Sequence, residues 1–162
     1  MILDIPPFLA TRRNHALEHA TLHILARKYK DQNMGGHSNP TGFFLFGDMS
    51  TDDIRNSINE AMTRLHAGEK GLAIHPGCGT NLATTTLLPA TFAWVPLQST
   101  RSLRWRLLLI PLALVFAAFG YLLSKPLGPW LQANVTTEAD LGNMQVTNVV
   151  VVRKGVHRII TK

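Results

Sequence analysis

The sequence predicts an α+β domain carrying a transmembrane helical hairpin, and three observations lead there. Two stretches repeat apolar residues at helical spacing, short Phe- and Val-rich runs lie between and after them, and two long uncharged segments fall between residues 81 and 130. A chain of 162 residues supplies one core plus an anchor. The expected organisation is a compact domain over 1–80, membrane segments over 81–130, and a β-rich tail over 131–162 that completes the sheet of the first part.

The first helix is expected from Thr11 to about Tyr29, where no Pro or Gly interrupts and Ala16, Leu17, Ala20, Ile24 and Leu25 recur on one side, ending at the Gly35-Gly36 region. Thr41 to Phe46, apolar and too short for a helix, reads as a buried strand closed by a Gly47-Asp48 turn. Ser50-Thr51-Asp52-Asp53 resembles a capping box, and Ile54, Ile58, Ala61, Met62 and Leu65 continue it as a helix to Gly68. Gly71 to His75 is a short strand candidate. In the tail, Val146 to Val152 and Val156 to Thr161 are strongly β-prone, with Lys154-Gly155 between them as a turn.

Leu107 to Leu123 carries no charge and has Trp105 and Tyr121 near its edges, so the clearest membrane span is 105–123. Asn81 to Leu97 is also uncharged but rich in Thr and broken by Pro89 and Pro96, which makes it a weaker span. Two crossings return the tail to the side of the domain. One crossing exports it, which would suit the Arg101, Arg104, Arg106 cluster under the positive-inside rule. The hairpin is preferred, because an exported two-stranded ribbon is marginally stable by itself.

The formal charge of +6 does not mark a nucleic-acid binder, since the basic residues do not interleave with aromatics into a stacking stripe. The arginine cluster abuts the apolar run instead, and membrane lipids are the expected partners, with other membrane subunits or a second copy as further ones. Met1 to Ala10 lacks a basic region followed by an apolar core, so no signal peptide is expected. The expected location is the inner membrane, with the metal-binding part in the cytoplasm.

Chemistry concentrates in two places. His15-Ala16-Leu17-Glu18-His19 stacks two imidazoles at i and i+4 on one helix face, the spacing that lets both chelate one divalent ion, with Glu18 beside them as a general base. The single cysteine, Cys78, excludes an intramolecular disulfide. It sits in a glycine-flanked turn, Pro76-Gly77-Cys78-Gly79, where a thiolate can approach a metal closely. Two His and one Cys leave a fourth position open, the form of a catalytic rather than a structural site, and the set accommodates Zn²⁺ or Fe²⁺.

These motifs in this order, His15-x-x-Glu18-His19, Thr41-Gly42-Phe43-Phe44 with Gly47 and a capped helix ending in Ala61-Met62, and Cys78-Gly79-Thr80, resemble the S-ribosylhomocysteine lyase (LuxS) family over roughly half the chain. The resemblance implies a two-layer α/β sandwich, related to that of the pitrilysin and insulinase peptidases. It also implies a divalent iron or zinc ion on His15, His19 and Cys78, with Glu18 shuttling protons. The lyases carry a second, catalytic cysteine before the Thr-Gly-aromatic strand; the nearest equivalent here is Asn39. The lyases are soluble homodimers, whereas this chain runs from Thr80 straight into apolar sequence. Asn14 to Thr21 also resembles the opening of an uncharacterised bacterial membrane family.

His37 is the candidate to replace the missing thiol as acid or base. His23 reads first as a partly buried helix histidine, His75 as an alternative fourth ligand, Glu60 as a remote candidate for a peptidase-like third ligand, and His66 and His157 as surface residues. The expected function is a membrane-anchored metal-dependent hydrolase or lyase. The alternatives are a non-catalytic, metal-stabilised accessory subunit of a membrane complex and a peptidase of inverted His-x-x-Glu-His type.

Overall fold

The computed structural model describes residues 2–162 and divides them into two units: residues up to His75 together with Gln132–Lys162, and Pro76–Leu131.

In the first unit, helix α1 spans Pro6–Lys28 and starts five residues before the predicted Thr11. Pro6 and Pro7 occupy its first positions, where a missing N–H costs nothing because no carbonyl precedes to accept it. Strand β1, Gly35–Asn39, occupies what the sequence marks as a loop. It pairs antiparallel with β2, Gly42–Phe46, in the register Gly36 to Leu45, His37 to Phe44 and Ser38 to Phe43. Helix α2, Thr51–His66, starts as the sequence indicates, with the Ser50 hydroxyl accepting from the Asp53 N–H at 3.1 Å. Gly71–His75 is not a strand. Lys70–Ala73 makes a short 3₁₀ turn with no strand beside it, and the carbonyls of Ala73 and Ile74 are taken by histidine side chains.

The tail contributes β3, Val146–Arg153, and β4, Val156–Thr161, joined through Gly155 at φ 72°, a left-handed position that suits glycine. The four strands form one antiparallel sheet in the order β1-β2-β4-β3. The first unit is thus mixed α and β, with α1 and α2 packed on one face of the sheet. Phe43, Leu45, Val149 and Ile159 of that face meet Leu17, Leu25, Ile54 and Ile58 of the helices, and Leu141 closes the core. The strand period of two turns Phe44, Phe46, Arg158 and Val150 to the other face.

In the second unit, α3 spans Gly79–Leu97, α4 Leu103–Leu108 and α5 Ile110–Leu131, and α3 packs along α5. The expected span at 105–123 is displaced toward the C-terminus. The helix breaks at Leu109, just before Pro111, which cannot donate to the preceding turn, and α5 then runs to Leu131. Among the described residues, α5 with the π-turn after it is the one helix long and apolar enough to cross a membrane. Its buried positions are small, Ala113, Gly120, Ser124 and Gly128, while Leu114, Val115, Phe119 and Leu122 are exposed.

Candidate metal centre

The uninterrupted α1 sequence from Thr11 to Lys28 places His15, Glu18, His19 and Leu22 along one helical face, of which Glu18, His19 and Leu22 are buried. The two imidazoles lie edge to face, their centroids 4.2 Å apart. Each is oriented by a backbone carbonyl. His15 Nδ1 is 2.9 Å from Thr136 O, in the segment that returns after the inserted unit, and His19 Nδ1 is 2.7 Å from Ala73 O in the 3₁₀ turn. A carbonyl oxygen only accepts, so both Nδ1 atoms donate, and in the neutral form of each ring the lone pair then lies on Nε2, the tautomer a metal ligand needs.

Cys78 is buried and forms no disulfide. It follows His75 by three residues, so chain connectivity alone keeps it within about 11 Å of that residue. The ligand atoms of His15, His19 and Cys78 lie within 4.8 Å of one another. Two imidazole nitrogens and a sulfur grouped in this way could hold a metal ion. Imidazole and thiolate ligands are a donor set compatible with zinc or ferrous iron.

Glu18 is buried and points its carboxyl at β1, where Ser38 Oγ donates to Oε2 at 2.5 Å. A Cβ built on Gly36 would overlap that carboxyl, so glycine at 36 makes the room that Glu18 occupies. Asn14, fully buried next to His15, is held at both ends of its amide: Nδ2 donates to Asn39 O at 2.8 Å, and Oδ1 accepts from Thr161 Oγ1 at 2.8 Å. The ligand helix is thereby tied to β1 and to the end of β4.

Two further histidines border this group without joining it. His75 has its ring 5.6 Å from that of His19 and 4.8 Å from that of His23, and its backbone N–H donates to the buried Gln132 Oε1 at 2.9 Å. Burial, followed by the neighbouring His23 and His19 imidazoles, pushes His75 down to about 4, so it is neutral at physiological pH. His23 donates Nε2 to Ile74 O at 2.8 Å and is half-buried.

The structure does not bring His37 to the site. On β1, Gly36 and Ser38 face Glu18, so His37 between them faces the opposite side of the sheet, where it is exposed. Glu60 lies on the surface in contact with Arg27 and Arg64, and His66 is exposed at the end of α2. His157 is not a surface residue but 4% exposed, because β4 is an inner strand and residue 157 shares the core face with Ile159. Sequence reading missed Ser38, Gly36, Gln132 and the carbonyls of Ala73 and Thr136. Gly36 beside Ser38 was the one available signal, since a glycine pair next to a polar residue allows a close approach.

A family model described as a domain of unknown function, DUF6391, matches residues 10–149, a span that contains His15, Glu18, His19 and Cys78. An uncharacterised protein of Picosynechococcus sp. (strain ATCC 27264 / PCC 7002 / PR-6) is 34% identical over 157 residues, covering 86% of this chain and 73% of that protein. No solved structure matches.

Proposed function

We propose that this chain, which belongs to the family described as a domain of unknown function (DUF6391), is a membrane-anchored metalloenzyme that performs a hydrolytic or lyase reaction at His15, His19 and Cys78. The observation that carries the reading is the grouping of the ligand atoms of His15, His19 and Cys78 within 4.8 Å of one another, on imidazoles that backbone carbonyls orient through Nδ1. A divalent ion there supplies a Lewis acid that acidifies water or polarises a carbonyl. Glu18 accepts the proton and hands it on, while Ser38 fixes one of its oxygens. The helices over one face of a four-stranded antiparallel sheet support a LuxS-like two-layer sandwich.

Membrane anchoring is supported by the inverted polarity of the second unit. A helix pair in water buries its large apolar side chains; α5 buries Gly120, Ser124 and Gly128 and leaves Leu, Val and Phe outside, the small-residue packing of helices in lipid. The sheet combines strands from before and after this unit, so the chain leaves and returns on one side of any membrane. A crossing by α5 therefore requires a second one, and α3, uncharged over 19 residues and about 28 Å long, is the candidate. A thiolate ligand favours the cytoplasmic side for the sheet-bearing unit.

Elemental analysis of the detergent-purified full chain tests the centre. About one zinc or iron per chain is expected, lost in His15→Ala, His19→Ala and Cys78→Ala and kept in Glu18→Gln. Metal retained without Cys78 would sink the proposal. If Glu18→Gln keeps both metal and the cellular phenotype, the non-catalytic accessory role replaces the enzymatic one.

A further inference from the structure

The second unit, taken by itself, sets the level of Cys78 along its hairpin. Gly128, in the last turn of α5, lies against α3, where an added Cβ would meet Asn81 Oδ1 and, at 2.9 Å, Thr84 Oγ1. Gly120, two turns earlier, lies against the backbone of Leu88 and Pro89 at 3.0 Å. The helices are therefore antiparallel, and the start of α3, where Cys78 is the N-cap, stands level with the end of α5.

That end carries the marks of a lipid–water boundary. Trp130, one residue before the end of α5, is 56% exposed, an amphipathic aromatic of the kind that settles among headgroups. The first large exposed apolar side chain of α3 is Leu82, one turn past Cys78. At the other end, Trp94 and Trp105 are exposed beside Arg101, Arg104 and Arg106. The 22 residues of α5 rise about 33 Å between these two belts, close to the thickness of a hydrocarbon core.

We infer that Cys78 lies at headgroup depth and that the centre takes an amphiphile from the membrane, its polar reacting group at the surface and its chain among the lipid tails. A thiolate holds an ion at about 2.3 Å, so the ion shares the depth of Cys78. This inference rests on the metal-centre reading above, and the experiment separates the two.

The full chain is loaded with Co²⁺ in nanodiscs of phosphatidylcholine and phosphatidylglycerol. Binding is read from the thiolate-to-cobalt absorption, and depth from ³¹P relaxation of the lipid phosphates against a Zn²⁺-loaded control. Faster phosphate relaxation is expected. Bound cobalt without it would overturn the interfacial placement and leave the centre standing, whereas no bound cobalt would overturn the centre itself. Substrate class is read by titrating the cobalt spectrum with dodecanohydroxamate and acetohydroxamate, which share a metal-binding head. The long-chain probe should act at a concentration at least about tenfold lower, and equal potency would reject an amphiphilic substrate.

Discussion

Gly36→Ala is the smallest change that dissects the site. The added methyl would sit 2.5 Å from Glu18 Cδ and 2.7 Å from Cγ, where ordinary carbon contacts need about 3.5–4 Å, so one partner must yield by about 1 Å. Glu18 is buried and cannot swing into solvent, and β1 is pinned to β2 on its other side. Overpacking costs about 1–3 kcal/mol, and loss of the Ser38 hydrogen bond to a carboxylate adds about 1.5 kcal/mol or more. A total of about 2.5–4.5 kcal/mol lowers the melting temperature of a unit of this size by at least about 10 °C, measurable by circular dichroism in detergent. Metal content should not change, because the carbonyls that orient His15 and His19 belong to Thr136 and Ala73, away from β1. Gly36→Ala should thus mimic Glu18→Gln in activity while keeping its ion. A neutral effect on melting would refute the packing argument, and metal loss would refute the division of labour between Glu18 and the ligands.

Two other perturbations follow from buried groups elsewhere in the chain. Burial holds His157 below its ordinary value, so the folded protein favours its neutral form; that stability is complete above an unfolded value of about 6.5 and is lost as pH falls below it. Thr51 Oγ1 lies 3.2 Å from its Nε2, and His157→Leu should flatten the dependence of unfolding free energy on pH between about 7 and 5, an unchanged slope counting against the argument. In the second unit, Gly120→Val places a side chain against the Leu88 and Pro89 backbone and should cost about 1–3 kcal/mol of hairpin stability, seen as earlier thermal loss of helix signal in detergent. Leu114→Val on the exposed face should leave that signal unmoved.

The elements that were legible in the amino-acid sequence are those whose signals are local. Ser50 caps α2 through its own hydroxyl three residues on, Gly155 turns the β3–β4 hairpin by its own φ, and the α1 periodicity needs no partner to be read. β1 was illegible because Gly35-Gly36-His37-Ser38-Asn39 has almost no strand preference. It is extended because β2 offers it a ladder and Glu18 tolerates nothing larger at 36, both facts of tertiary structure. The misreading of Gly71–His75 is the converse case. Its apolar residues resemble a strand, yet no neighbour pairs with it, and its carbonyls serve histidines more than 50 positions away.

The same contrast governs the metal centre. Ligand identity is local chemistry: an i, i+4 histidine pair and the chain's one thiol are visible without coordinates. What orients those histidines is a hydrogen bond from each Nδ1 to Ala73 or Thr136, carbonyls that any residue type would supply and that no motif can encode. His37 lies apart from Glu18 for a related reason, since the parity of a strand the sequence did not announce turns it to the other side of the sheet. Parity also yields a consequence that experiment can reach. Ser38 Oγ faces Glu18, so a thiol introduced as Ser38→Cys would stand next to that carboxyl and be shielded, whereas one introduced at His37 would face the far side of the sheet and be modified by a soluble alkylating reagent without effect on metal content.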